Sequence, residues 1–288
     1  LKEILPHTQA MLCTLGLPYI FEGRVYNCIA VVQNGRVLGI NAKKSLPREG
    51  VHYEPRWFSP WTPDTVRQTH VDGVAVPFGD MSYQCGNARI AIEICEEAWG
   101  RSGGATRHAE HGAHIVLNSS ASHFALGKYR TRERLVSNAA RSMRVHYVYA
   151  NLVGNEAGRI IYDGGTLIAE RGHIIQRGPR FGIRDFYVTH ADVLLDLADS
   201  EKMKATPWED SGSHHTQVHI VQGDGTEHSN QGALKRSPPK TYAHLDAMPT
   251  MAPEEEFLRA ETLGLFDYMR KSGAKGYALS LSGGCDSA

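Results

Sequence analysis

Cys95 closes an apolar run. In residues 88–99, ARIAIEICEEAW, Ile90, Ile92 and Ile94 alternate toward the cysteine, and Glu96 and Glu97 follow it. Alternation of that period marks a strand with one buried face. A strand end can present a thiol to a cleft while its backbone stays anchored in a sheet, the geometry a nucleophile needs. A lone cysteine is otherwise a small buried hydrophobe, so the reading turns on other segments. In residues 41–57, NAKKSLPREGVHYEPRW, Lys43 stands three residues before Leu46-Pro47 and Glu54 follows eleven residues after it. A cation beside a thiol favours the thiolate. The competing readings are a solvated Lys43 next to Lys44 and a surface ion pair of Glu54 with Arg56; the Leu-Pro context argues against the first.

A second chemistry stands at the far end. Residues 279–288 read LSLSGGCDSA. Gly283 and Gly284 let backbone amides approach an anion without a Cβ in the way. Ser282 and Ser287 add hydroxyl donors, and Asp286 can hold a cation beside phosphates. Alone, a Gly-Gly between serines is also an ordinary turn. The apolar run 277–281 places it at an expected strand end, as a phosphate loop requires.

Lys43, Glu54 and Cys95, in this order, with HIVLNSSASHF at 114–124, IIYDGGTLIA at 160–169 and VPFGD at 76–80, resemble the carbon–nitrogen hydrolase (nitrilase) superfamily. Within it, EICEEAW, the YDGG segment and VPFGD look like the glutaminase domain of glutamine-dependent NAD synthetases. SGGCDS resembles the pyrophosphate loop of the ATP pyrophosphatases, the family of the synthetase half of those enzymes. The resemblance implies an α/β fold: a four-layer αββα sandwich over residues 1–197, a linker over 198–248, and the start of a Rossmann-like α/β domain over 249–288. It implies hydrolysis of the glutamine side-chain amide. Cys95 attacks the amide carbon, and Lys43 and the backbone N–H of Glu96 flank the developing oxyanion. Glu54 orients the lysine and water, and Glu96, Ser120 and Ser122 grip the amino-acid head of glutamine.

In the second domain, ATP and Mg²⁺ (held by Asp286) and deamido-NAD are the implied partners. The ammonia released by the first domain amidates deamido-NAD, and a homo-oligomer is implied by the need to shelter it. The family pattern places a general-base glutamate on a strand ahead of residue 1. No residue here matches it, and Glu3 does not fit that role, so a fragment of a longer chain is expected. Two alternatives stand beside this reading: another nitrilase-type amidase, against which the phosphate loop argues, and a catalytically silent interaction module.

Composition agrees with a soluble cytoplasmic enzyme. The 288 residues suggest about two domains. Lys plus Arg equal Asp plus Glu at 31 each, so no basic excess points to nucleic acid. No apolar run is long enough for a membrane span. The five cysteines show no paired spacing, which argues against a disulfide framework. His108, His111 and His114 recur at threes but lack a cysteine pair or an HExxH arrangement. They are expected as surface histidines on a helix between Gly104 and Gly112, and His214-His215 as part of the linker.

The elements that position these residues follow from pattern. A helix is expected over 2–11, and a hairpin over 26–42 around Asn34-Gly35. Strands are expected at 114–118 and 146–152, with an amphipathic helix over 129–145 whose arginines, Arg132 among them, are mostly solvated. A hairpin over 160–176 turns near Arg171-Gly172, and a last strand lies in 185–197. In the linker only 218–221 suits a strand. A helix with Pro and acids in its first turn opens at Pro253 and leaves apolar surface exposed.

Overall fold

The computed structural model describes residues 1–100, 104–156, 158–195, 218–225 and 251–285. Two packed sheets form its body. The first runs β1 (Leu12–Phe21), β2 (Arg24–Gln33), β3 (Arg36–Ala42), β4 (Val66–Val71) and β5 (Val74–Gly79), in the order β1-β2-β3-β5-β4. The second contains β6 (Met81–Cys85), β7 (Ala88–Ile94), β8 (Ile115–Ser120) and β9 (His146–Asn151), then β12 (Leu167–Glu170), β13 (His173–Arg177) and β14 (His219–Gln222). Its order is β13-β12-β9-β8-β7-β6-β14, with β7, β8 and β9 parallel. The remaining strands, β10 (Val153–Glu156) and β11 (Ile160–Asp163), form a two-stranded antiparallel sheet among the described residues.

The hairpin of β2 and β3 forms where Asn34-Gly35 predicts. Both residues have positive φ, 49° and 75°, which matches the right-handed twist of the flanking strands. Ile29, Val31 and Leu38 from the first sheet meet Met81, Tyr83, Ile90, Ile92 and Ile94 from the second, so the alternating face of β7 is the seam between sheets. Gly39 makes the close approach possible: a Cβ there would lie 2.8 Å from the Tyr83 hydroxyl. That hydroxyl donates to Asn41 Oδ1 at 2.6 Å, and Asn41 Nδ2 donates to the Met81 carbonyl at 2.8 Å, so a buried polar stitch holds the sheets together near the C-terminal end of β3.

Helices α1 (Thr106–Glu110) and α2 (Lys128–Ser142) cover the other face of the second sheet. On α2, Val136 and Ala140 are fully buried and Leu135, Ala139 and Met143 pack beside them, as the periodicity requires. The outer face of the first sheet is filled by Phe21, Tyr26, Trp61 and Phe78, with Leu1 and Leu5 over it. Helix α3 (Pro253–Ser272) lies on the β10–β11 hairpin: Ala260 and Leu263 pack with Phe181, Phe124, Val153 and Ile161. Phe257, Leu258 and Leu265 on its other side are exposed, as expected.

Several expectations are corrected. Residues 2–11 are not a helix beyond the single turn Leu5–His7. Pro6 lacks the N–H a helix interior needs, and Thr8 ends the turn: its hydroxyl donates to the Leu5 carbonyl and accepts from Gly35 N–H. The hairpin expected over 160–176 divides in two. β11 pairs with β10, Gly164 and Gly165 break the chain at positive φ, and β12–β13 turn at Arg171-Gly172. No strand forms over 185–194: Ala191 and Val193, partly buried, pack on Ile168 and Ile175 without joining a ladder, and Phe186 and Val188 are exposed. Residues 277–281 are not a strand either. Tyr277, Leu279 and Leu281 are exposed and pair with no ladder among the described residues.

Arg132 is completely buried, not solvated, and His108 is 2% exposed. The segment 218–221 is a strand, and it enters the body: β14 pairs in parallel with β6, and Asp224 accepts from Asn34 and ion-pairs with Arg36 at 2.5 Å. His214 and His215 lie outside the described residues. None of the described helices is long and apolar enough to cross a membrane.

Gly79, where β5 passes toward β6, has φ of 145° and would put a Cβ 2.1 Å from the Thr65 carbonyl oxygen. Backbone cannot yield cheaply, so Gly79→Ala is expected to cost about 3 kcal/mol or more. Denaturant unfolding of wild type and variant measures this.

Candidate active site

β7 ends at Ile94, and the next residue, Cys95, stands in the left-handed region with φ of 48°. A 3₁₀ turn, Cys95–Trp99, follows at once. A non-glycine residue held there costs on the order of 1–3 kcal/mol, which surrounding structure must outweigh. The sharp reversal turns the side chain out of the sheet while leaving the N–H groups of the new turn without intrahelical acceptors.

Glu97 supplies the restraint. One carboxylate oxygen accepts Ile94 N–H at 2.7 Å and the other accepts Lys44 N–H at 2.7 Å. The side chain is buried, and Gly104 packs against it so closely that a Cβ would sit 2.8 Å from Glu97 Cβ. Burial raises the Glu97 pKa, with Lys44 offsetting part of that. Lys44 itself donates to Asp80 Oδ1 at 2.8 Å, and His108 Nε2 lies 2.9 Å from the same oxygen. Burial pushes the Asp80 carboxyl up, but the hydrogen bond from His108 and the charge of Lys44 outweigh it and hold the pKa at about 2. For Lys44, the acids Glu97 and Asp80 outweigh burial and raise its pKa.

Lys43 and Lys44 are adjacent and do different work. Past the end of β3 their side chains part, Lys44 into the acid cluster beneath the elbow and Lys43 to Glu54. Lys43 is fully buried, and its Nζ donates to Glu54 Oε1 at 2.6 Å. Asn27 Nδ2 approaches the other oxygen of Glu54 at 3.4 Å.

A cavity of about 660 Å³ opens above Cys95. Cys95, Glu54, Glu96, Ser120 and Ser122, five of the residues picked out in the sequence, line it together. Lys43 reaches the cavity through Glu54 rather than lining it. Glu3 is exposed and takes no part. Ser282, Gly283 and Gly284 lie in an exposed turn, with Gly283 at φ 77°, while Asp286 and Ser287 are outside the described residues.

The structure adds residues the sequence did not reveal. His52, His123 and Lys128 line the cavity. His52 Nε2 and His123 Nδ1 lie 2.9 Å apart, and Lys128 Nζ is 3.3 Å from both ring nitrogens of His123. Burial, then the Lys128 charge, lowers both histidines, His123 to about 4, so these rings are neutral near pH 7. Burial, then Arg132, lowers Lys128. Lys128 is the first residue of α2, a position readable from helix pattern; what it faces was not. Among the described residues no group of His, Cys, Asp or Glu is arranged to hold a metal ion.

Two packed sheets with a cysteine held at the end of a central parallel strand define the nitrilase-like class of α/β fold. A carbon–nitrogen hydrolase profile matches residues 3–200, and the chain belongs to that family. Its relatives are more specific. It is 33% identical over 302 residues to a glutamine-dependent NAD(+) synthetase of Oryza sativa subsp. indica, covering 100% of this chain and 40% of that one. It is 30% identical to the Homo sapiens enzyme of the same name, covering 98% and 41%. The crystal structure of a glutamine-dependent NAD(+) synthetase from Cytophaga hutchinsonii superposes with a TM-score of 0.71 at 38% identity, covering 99% of this chain and 38% of that one. A carbon–nitrogen hydrolase from Helicobacter pylori, at 17% identity and TM-score 0.53, shares the fold. The chain thus spans about 40% of the length of the curated relatives it matches.

Removing the Glu97 carboxylate leaves two buried N–H groups and Lys44 under-compensated. Glu97→Ala is expected to cost about 3–5 kcal/mol, and Glu97→Gln less, measured by denaturant unfolding. Asp80 gives a pH signature. Its folded pKa of about 2 lies below the ordinary 3.8, so it stabilises the fold above that value by about 2 kcal/mol, lost as pH falls through 2. The stability difference between wild type and Asp80→Asn should therefore shrink between pH 4 and pH 2.

Proposed function

We propose that this chain carries the glutaminase site of a glutamine-dependent NAD synthetase. The observation that supports this most directly is the Cys95 elbow opening on the same cavity as the Lys43-paired Glu54. Similarity to such synthetases through residue 288 supports the pairing with a second domain.

In this reading the Cys95 thiolate attacks the side-chain amide carbon of glutamine. The carbonyl electrons move to oxygen, facing the N–H groups at the start of the 3₁₀ turn, with the Lys43 ammonium adding its positive charge from behind Glu54. The C–N bond breaks, and the nitrogen leaves as ammonia after taking up a proton. Water then attacks the thioester, releasing glutamate and the free thiol. Glu54 holds Lys43 in place and orients that water. Glu96, Ser120 and Ser122 bind the amino and carboxylate groups of glutamine, and Lys128 adds a cation on the same wall. No carboxylate of this sequence is assigned as the general base.

For the second half-reaction, Ser282, Gly283, Gly284 and Ser287 would receive the phosphates of ATP, and Asp286 a Mg²⁺ ion. The left-handed φ of Gly283 suits a loop that turns backbone amides toward an anion. ATP supplies activation of the deamido-NAD carboxylate for amidation by ammonia. A cytoplasmic homo-oligomer without nucleic-acid or membrane partners completes the proposal; all five cysteines are free thiols, which suits a reducing compartment.

The test is labelling by a diazo-ketone analogue of glutamine, run on this chain and on a longer parent protein, with peptide mass spectrometry. Cys95 should label in preference to Cys13, Cys28 and Cys85, whose thiols burial pushes up, Cys28 to about 12. Glutamine should protect it, and Cys95→Ser should lower ammonia release by about 10³-fold or more. Unselective labelling, or labelling that glutamine does not block, would sink the glutaminase reading and favour a silent module.

A further inference from the structure

The cavity wall from Ser122 to Lys128 does not stand by itself. Ser122, His123 and Lys128 line the cavity, and the stretch between them is neither strand nor helix until α2 begins at Lys128. Asn151 of β9 bonds both the N–H and the carbonyl of Ser122, and Phe124 N–H donates to the Ile161 carbonyl. A line of charges that starts on α3, beyond the hydrolase portion of the chain, adds to this hold. Arg132, fully buried, donates from Nη2 to the carbonyls of Ser122 at 3.2 Å and His123 at 3.1 Å, and to Asp163 Oδ1 at 2.7 Å. The other oxygen of Asp163, also fully buried, accepts Arg180 Nε at 3.0 Å. Arg180 Nη2 reaches Glu256 Oε1 at 2.5 Å. Glu256 Oε2 then accepts the N–H of Gly127 at 3.1 Å, the residue just before Lys128.

The line closes on the segment it began with. One end of 122–128 hangs from Arg132 and the other from Glu256, and the two holders join through Asp163 and Arg180. Signs alternate along it, negative at Glu256, positive at Arg180, negative at Asp163 and positive at Arg132, so the charges balance as a set. Side-chain exposure is 9% at Glu256 and 12% at Arg180 and none at Asp163 and Arg132, where interactions between charges are strongest. Removing the outer acid leaves an excess of positive charge at Arg180 that solvent screens only in part. Apolar contact reinforces the route: Phe124, in the middle of the segment, meets Phe181 edge-on at 5.5 Å, and Phe181 packs on Ala260 and Leu263 of α3.

We propose that Glu256 is a positioning residue for the substrate wall of the Cys95 cavity, acting through Arg180, Asp163 and Arg132 and directly on Gly127. The first helix after the linker is then part of the hydrolase site's construction. Glu256 touches no reacting atom; its effect falls on the placement of Ser122, His123 and Lys128. The consequence for glutamine rests on the glutaminase reading, whereas the consequence for the wall does not.

The experiment compares wild type, Glu256→Ala and Glu256→Gln in the whole protein. Glutamine keeps an acceptor for Gly127 N–H and the residue's volume but loses the charge on Arg180, so it remains informative if the alanine variant fails to fold. Hydrogen exchange of the peptide spanning 122–128 should speed up by about tenfold in the alanine variant and less in the glutamine variant. Peptides from β7 and β8 should be unchanged. The KM for glutamine should rise by about tenfold with kcat within about twofold, because placement of bound substrate is lost while the nucleophile is intact. Alkylation of Cys95 by iodoacetamide, which needs no wall, should hold its rate; a merely destabilised protein would lose kcat and alter that rate as well. Unchanged exchange in 122–128 overturns the proposal, as does faster exchange with unaltered KM. If the wall loosens but wild type hydrolyses no glutamine, the glutaminase reading has failed and the positioning by Glu256 stands.

Discussion

The bidentate grip of Glu97 on the N–H groups of Ile94 and Lys44 is the interaction on which the site depends. It ties the end of β7 to the residue past the end of β3, and so one sheet to the other, at the point where the chain enters a left-handed conformation at Cys95. A strained residue persists only where its neighbours over-determine it. Here the neighbours are buried acids and a buried lysine whose charges balance locally: Lys44 between Glu97 and Asp80, with His108 behind. Replacing that cluster by apolar side chains could fill the same volume, but nothing apolar accepts two N–H groups.

The adjacent lysines show how one turn of backbone serves two purposes. Lys44 is spent on structure, beneath the nucleophile. Lys43, one residue earlier, emerges on the opposite side and meets Glu54, which faces the cavity. Buried cations are costly unless paired, and each has its carboxylate at hydrogen-bonding distance. The cavity thereby acquires a carboxylate fixed by a cation and a thiol at a strained turn, and it is lined as well by a neutral histidine pair and Lys128.

The opposite wall is built differently. Where the Cys95 side grows from the ends of strands, the 122–128 side is irregular backbone held by Arg132, Asn151 and Glu256. Arg132 sits at the centre: its Nη2 alone lies within hydrogen-bonding distance of the Ser122 and His123 carbonyls and of Asp163. Its burial is possible only because Asp163 comes from β11, outside both main sheets, and Arg180 from the loop beyond β13. These elements lie far apart in sequence and meet only in the folded chain.

The sequence by itself determined the local pieces. Alternation of isoleucines set the face of β7, Asn34-Gly35 set the β2–β3 hairpin, apolar periodicity set α2, and the Pro-Glu-Glu-Glu start set α3. These follow from interactions spanning a few residues, so they are legible without partners. Order and type of residues also brought Cys95, Lys43, Glu54, Glu96, Ser120 and Ser122 forward as one group. Tertiary structure alone decided which charges are buried. Arg132 reads as one solvated arginine among several and His108 as a surface histidine, because a helical wheel reports a face and not what stands opposite it. Residues 2–11 and 185–194 carry apolar residues that suit helix or strand; Pro6 and the Thr8 hydroxyl stop the first, and the second rests Ala191 and Val193 on Ile168 and Ile175 outside any ladder. The His52, His123 and Lys128 cluster left no trace in spacing, since its members come from different loops and a helix start. Local propensity is written along the chain, whereas the pairing of buried charges depends on which distant segments the core brings together.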